Sequence, residues 1–277
     1  MPETDKRSVQ GRIVPEWIMS LLWVIVALIA VFCVLIFYIP LDTYRFYGHI
    51  LEAGTALFCM ACCLYAYRAI AGRTILLLAA FVYGGYALST TFWYLYSVAL
   101  GRQYVFVSVS ELGFVGFIFF LIAAIIIEFP KRKVLVRTRA ALMGFFLLAA
   151  LLVAGTVGLS LPDVLLIARI LIVALLIDIA VSHGVHQYPL LWLGILLRCL
   201  SAVLYGFRET LFIAHRDWAF VVPFTGNPMA IYDLLSLVGP LIIFSFLFIQ
   251  LGLFDYLNSL NAGTAAASSP ASRDPGC

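Results

Sequence analysis

Apolar residues run along this chain in long unbroken stretches separated by short polar turns. The stretches match the roughly 20 residues that a helix needs to cross a bilayer. Eight are legible: Trp17–Phe37, Gly48–Ala69, Thr74–Leu100, Phe106–Glu128, Ala140–Leu159, Val164–His183, Pro189–Ile213 and Ala230–Leu253. They are continuously apolar, without the alternation that a transmembrane barrel strand requires. The pattern predicts an all-α polytopic membrane protein of eight transmembrane helices.

Composition agrees. Hydrophobic residues make up 64% of the chain and charged residues 11%, with a mean hydropathy of +1.09. A soluble domain carries about 25% charged residues. These values exclude a soluble enzyme, a disordered protein and a nucleic-acid binder, and leave the lipid bilayer as the certain partner. The first stretch is longer than a signal-peptide core and no small-x-small cleavage site follows it, so it reads as a retained anchor. Residues 258–277 are Ala-, Ser- and Pro-rich, and disorder is expected there.

Basic residues cluster before the first span (Lys6, Arg7, Arg12), beside the second turn (Arg68, Arg73) and in the fourth connection (Lys131, Arg132, Lys133, Arg137, Arg139). With eight spans all three clusters share one side, and the positive-inside rule makes it cytoplasmic, with both termini. Compact spans and short loops suit a bacterial cytoplasmic membrane. The expected organisation is an N-terminal segment 1–16, a four-helix unit 17–128, a basic loop 129–139, a second unit 140–257 and the tail.

A weak internal repeat supports those two units. Thr74–Arg102 can be laid over Pro189–Asp217, both ending in a charged turn, and Val115–Gly116 then falls on Val238–Gly239. Ser110–Glu111 finds an approximate counterpart in Tyr232–Asp233. Four spans per unit would relate the halves by an axis along the membrane normal.

Polar residues inside the spans point to a site. On the third span Tyr83, Tyr86, Thr90, Trp93, Tyr94 and Ser97 form one helical stripe, and on the seventh Arg198, Ser201, Tyr205, Arg208 and Glu209 form another. Lipid satisfies none of these groups, so both stripes are expected to face protein or water. Arg198 falls roughly 15 Å into its helix, where an arginine costs at least about 2.5–3.5 kcal/mol and needs a partner or a wet cavity. Asp178, from the cytoplasmic side, and Asp233 or Glu111, from the outer side, are the candidate partners.

Glu52, Glu111, Arg169, Glu209 and Asp233 share the outer third on this depth scale. With Tyr86, Trp93, Arg198 and Tyr205 they make a candidate ligand-binding set around an outward vestibule. His49, Glu52, Glu111 and Asp233 form a weaker candidate metal set without a tight ligand spacing. His183 and His186 lie at the opposite rim. Other chemistry is restricted: Lys6, Lys131 and Lys133 all fall outside the spans, leaving no lysine for a retinal Schiff base. No zinc-helix, nucleophile-elbow or phosphate-loop motif occurs. Cys59-Met-Ala-Cys62 is formally a C-x-x-C, but mid-membrane it lacks the accessible thiolate that redox catalysis needs.

Three functions fit these residues. The first is a receptor- or transporter-like protein that binds a small polar or amphiphilic molecule in the vestibule. The second is a membrane anchor subunit that docks a protein partner and interacts with a quinone, favoured by the lack of an output domain after the last span. The third is an enzyme acting on lipid through the outer His and carboxylate cluster. No cofactor follows from the sequence.

Overall fold

Every one of the eight apolar stretches carries an α-helix. The computed structural model describes residues 14–69, 73–96, 109–132, 136–157, 161–207, 219–221 and 228–268. Its long helices are α1 (Glu16–Val34), α2 (Leu41–Ala69), α3 (Thr74–Tyr94), α4 (Val109–Glu128), α5 (Val136–Val157), α6 (Leu161–Ser182), α7 (Pro189–Phe207) and α8 (Val238–Ser268). Five segments are long and apolar enough to cross a membrane: Glu16–Phe37, Leu41–Ala69, Thr74–Tyr94, Pro189–Phe207 and Leu235–Asn261. The molecule is an integral membrane protein of helical build. A short antiparallel ribbon pairs β1 (Ala219–Val221) with β2 (Pro228–Ala230), Ala219 opposite Ala230, just before a helical turn leads into α8.

Two of the boundaries that differ from the hydropathy reading bear on the site and the tail. α2 starts at Leu41 rather than Gly48, because Pro40 opens a helical turn and Tyr44 N–H donates to its carbonyl at 2.9 Å. Asp42 in that first turn faces the positive end of the helix dipole. α8 continues to Ser268, through the segment where disorder is expected from Asn258. Burial continues past Leu253 through Phe254, Tyr256 and Leu257, and Asn258 Oδ1 accepts from Val14 N–H at 3.2 Å.

Six helices form a closed ring: α2 packs on α3, α3 on α4, α4 on α6, α6 on α7, α7 on α8, and α8 back on α2. α1 packs on α8 and α5 on α6, both outside the ring. Accordingly α5 leaves Phe145, Leu148, Leu151 and Leu152 exposed, as a helix surrounded by hydrocarbon would. The tightest seam joins α7 to α8. A Cβ on Gly252 would lie 2.2 Å from the Leu191 backbone nitrogen, and one on Gly194 would lie 2.5 Å from that of Ile249. Each glycine admits the other helix's main chain.

At one end of the bundle charged and aromatic side chains close the ring. Glu128 accepts from Arg73 and from the Tyr256 hydroxyl, each at 3.2 Å. Phe129, Tyr188 and Tyr256 pack beside it with ring centroids 4.6–5.6 Å apart. α6 ends here in a left-handed turn at Gly184, with φ of 72°, while its Ser182 carbonyl accepts from Arg132 N–H at 2.8 Å. An alanine at Gly184 should lower stability by about 1 kcal/mol, since a Cβ penalises that backbone region. Asparagine there should be milder. Thermal unfolding of the purified protein in detergent would measure both, and an unshifted midpoint for Gly184→Ala would refute the strain argument.

Candidate functional site

The ring encloses a cavity of about 300 Å3 in its other half, where α2, α4, α6 and α8 begin and α3 and α7 end. The earlier start of α2 brings Tyr44 and Arg45 into the wall, and farther along the same face come Gly48, His49 and Glu52. α3 adds Tyr86, Thr90 and Trp93. Across the cavity α6 contributes Arg169 and Ile172, and α7 contributes Arg198, Ser201 and Tyr205. Val115 and Ile118 from α4, with Val238 and Ile242 from α8, supply apolar walls.

Four aromatic rings floor the cavity. Tyr83, Tyr86, Phe117 and Phe246 are all buried, and Tyr86 meets Phe246 edge-on at 4.7 Å. The Tyr83 hydroxyl donates to the Phe246 carbonyl oxygen at 3.2 Å. Arg198, 3% exposed, stands on this floor with its guanidinium 4.7 Å from the Phe117 ring centre and 5.2 Å from that of Tyr86. Arg169 lies 4.8 Å over the Tyr205 ring. Cation–π contacts of this kind are worth about 2 kcal/mol when desolvated, and they settle a guanidinium where hydrocarbon surrounds it.

Glu52 is the buried carboxylate of the wall, 4% exposed. The Tyr86 hydroxyl donates to its Oε1, and His49 Nδ1 lies 3.6 Å from its Oε2 one helical turn back. His49 in turn rests on Trp93, ring centres 4.4 Å apart. At the mouth, Arg45 joins α2 to the approach to α8, donating to Asp233 Oδ1 and to Ser236 Oγ, both at 3.0 Å.

Of the candidate ligand-binding residues, Glu52, Tyr86, Trp93, Arg169, Arg198 and Tyr205 thus line one cavity, and Asp233 braces its mouth through Arg45. Glu209 lies outside the described residues, as does the side chain of Glu111, although α4 includes that position. The Arg198–Asp178 bridge does not form. Asp178 lies near the far end of α6 and takes both its oxygens to Arg139, at 2.7 and 2.6 Å. Those hydrogen bonds, and then the opposite charge, raise the Arg139 pKa above its ordinary value. Among the described residues no three His, Cys, Asp or Glu side chains gather as a metal site. Of the weak metal set, His49 and Glu52 meet each other while Asp233 faces Arg45. His183 turns to the Phe129 carbonyl oxygen at the opposite end.

Tyr44, Arg45 and Ser236 are cavity residues that the stripe analysis passes over. The usable signal was Pro40 followed by Leu41-Asp42, a helix-start pattern that carries α2 upstream of its apolar stretch. Fold and cavity together define a helical integral membrane protein with a charged, aromatic-lined chamber. No protein-family model, curated protein or solved structure matches the chain.

Proposed function

We propose that the protein is a receptor- or transporter-like binder of a small polar or amphiphilic molecule, received in a vestibule open to the outside. The observation that carries this reading is the cavity: three arginines, a carboxylate and aromatic rings converge on about 300 Å3 inside an apolar ring. That volume falls in the range of small-molecule pockets, and mixed apolar walls with a few convergent polar groups are their usual lining. The buried Tyr44 hydroxyl lines the same space and makes no hydrogen bond among the described residues, so it is a donor suited to a ligand.

Eight crossings in two four-helix units give the orientation. Mapping α2, α3 and α4 onto α6, α7 and α8 turns every neighbour pair in the ring into another neighbour pair, as two units about one axis would. Arg68, Arg73, Lys131, Arg132 and Arg139 lie at the end away from the cavity, which the positive-inside rule makes cytoplasmic.

Thiol accessibility tests the reading, in a Cys277→Ser background. A membrane-impermeant maleimide added outside intact cells should modify Ser236→Cys at the mouth and Ala202→Cys within the chamber. Lys133→Cys should react only after the cytoplasmic side is opened. Labelling of Lys133→Cys from outside, with Ala202→Cys protected, would reject the outward vestibule.

A further inference from the structure

We propose that the vestibule selects an oxyanion, the carboxylate headgroup of a single-chain amphiphile, and holds it between Arg169 and Arg198. The inference rests on the reading of the cavity as a ligand site and names the chemistry it takes.

Three observations lead there. Arg169 and Arg198 come from neighbouring helices and line the same chamber, where each feels the other's charge and Glu52 offsets part of that on Arg198. Like charges brought together at low dielectric repel strongly, and an anion shared between them relieves that repulsion. Each guanidinium also has an aromatic ring across one face, Tyr205 under Arg169 and Phe117 under Arg198. Stacking occupies the plane of the cation and leaves its N–H donors at the edge. An arginine carries more edge donors than one carboxylate takes up, and its fork matches the two oxygens of a second. Finally, the wall carboxylate is engaged on its own side of the chamber, Glu52 receiving the Tyr86 hydroxyl with His49 beside it. That arrangement makes Glu52 a fixed part of the wall, from which it attracts Arg198, and sets this one wall carboxylate against the two guanidinium groups on α6 and α7.

The rest of the ligand is set by what surrounds these groups. Val115, Ile118, Ile172 and Ile242 form walls with no polar group to offer, which suits an alkyl or aryl body attached to the headgroup. About 300 Å3 is at the small end of ligand pockets, too little to take both chains of a phospholipid. A lipid could present its phosphate to the same arginines only from the rim.

The test uses the full-length protein purified in a neutral maltoside detergent and four probes of related shape: octanoate, octylammonium, 1-octanol and acetate. Binding is read by isothermal titration calorimetry and by thermal unfolding. Octanoate should bind at least about tenfold more tightly than octylammonium or octanol, with acetate weaker because it lacks the chain. Arg169→Gln and Arg198→Gln should each weaken octanoate at least about tenfold. Should one variant fail to fold, the other and the headgroup series on the native protein still decide. Reconstitution in phosphatidylglycerol against phosphatidylcholine nanodiscs separates the sources. Arginine-dependent stabilisation by phosphatidylglycerol, with none by octanoate, keeps the oxyanion and assigns it to a lipid headgroup. Octylammonium or octanol binding as tightly as octanoate overturns the oxyanion while leaving a ligand cavity in place. Loss of every probe response, together with an Ala202→Cys that no outside reagent reaches, brings down both readings.

Discussion

Gly252→Ala should cost the protein about 2 kcal/mol or more and most of its folded yield, although it adds one methyl group. The added carbon would stand 2.2 Å from the Leu191 nitrogen and 2.5 Å from its Cα, so main chain and not a pliable side chain must move. Overpacking of a close-packed seam typically costs 1–3 kcal/mol, and a backbone clash belongs at the upper end. Nothing relieves it locally, because Gly194 meets Ile249 in the same way from the other helix. Gly85→Ala supplies the control: a Cβ there has nothing within 4 Å, and alanine is the better helix former. Equilibrium unfolding in mixed micelles should separate the two variants by several kelvin or more, with Gly85→Ala at or above the parent. Equal stability for both would mean that α7 and α8 do not meet as closely as described.

Tyr86→Phe should have the next largest effect, and its size should depend on Glu52. The substitution removes one hydroxyl, and with it the donor to a carboxylate that is 4% exposed. Hydrogen bonds to charged groups contribute about 1.5–3 kcal/mol, and the substitution leaves a buried acceptor without its donor. In a Glu52→Gln background the same change should cost about 1 kcal/mol or less, since a neutral amide needs that donor less. A double-mutant cycle read by unfolding isolates the coupling, which should be about 1–2 kcal/mol. Additive effects would show that the bond contributes nothing specific.

The helices and much of the chamber were legible in the sequence for one physical reason. Hydrocarbon tolerates few polar groups, so any that occur must turn inward, and Tyr86, Arg198 and Tyr205 therefore announced their faces by spacing alone. Arg198's surroundings were not legible. Depth along a helix does not say which neighbours face it, and the sequence pointed to carboxylates as its partners. The guanidinium rests on Phe117 and Tyr86 with Glu52 near enough to attract it, while Asp178, one of the carboxylates named, belongs to Arg139 at the other end of α6. Tyr44 and Arg45 escaped because a hydropathy stretch marks where a chain enters hydrocarbon, and α2 begins before that, at Leu41. The ring order escaped as well, save for the hint in the repeat, because contacts between α4 and α6 or α8 and α2 leave no local periodicity.

The order of those contacts also sets the order in which the chamber's charges find company during synthesis. Glu52 and Tyr86 lie on α2 and α3, consecutive in the chain and packed together, so the carboxylate gains its donor as soon as that hairpin enters the bilayer. Phe117 follows on α4, and when Arg198 arrives with α7 the rings beneath it are already in the membrane. Arg45 has the longest wait, because Asp233 and Ser236 lie just ahead of α8. An insertion machinery releasing helices one by one would thus deliver Arg198 into a prepared setting, and the helix that closes the ring is also the one that ties off its mouth.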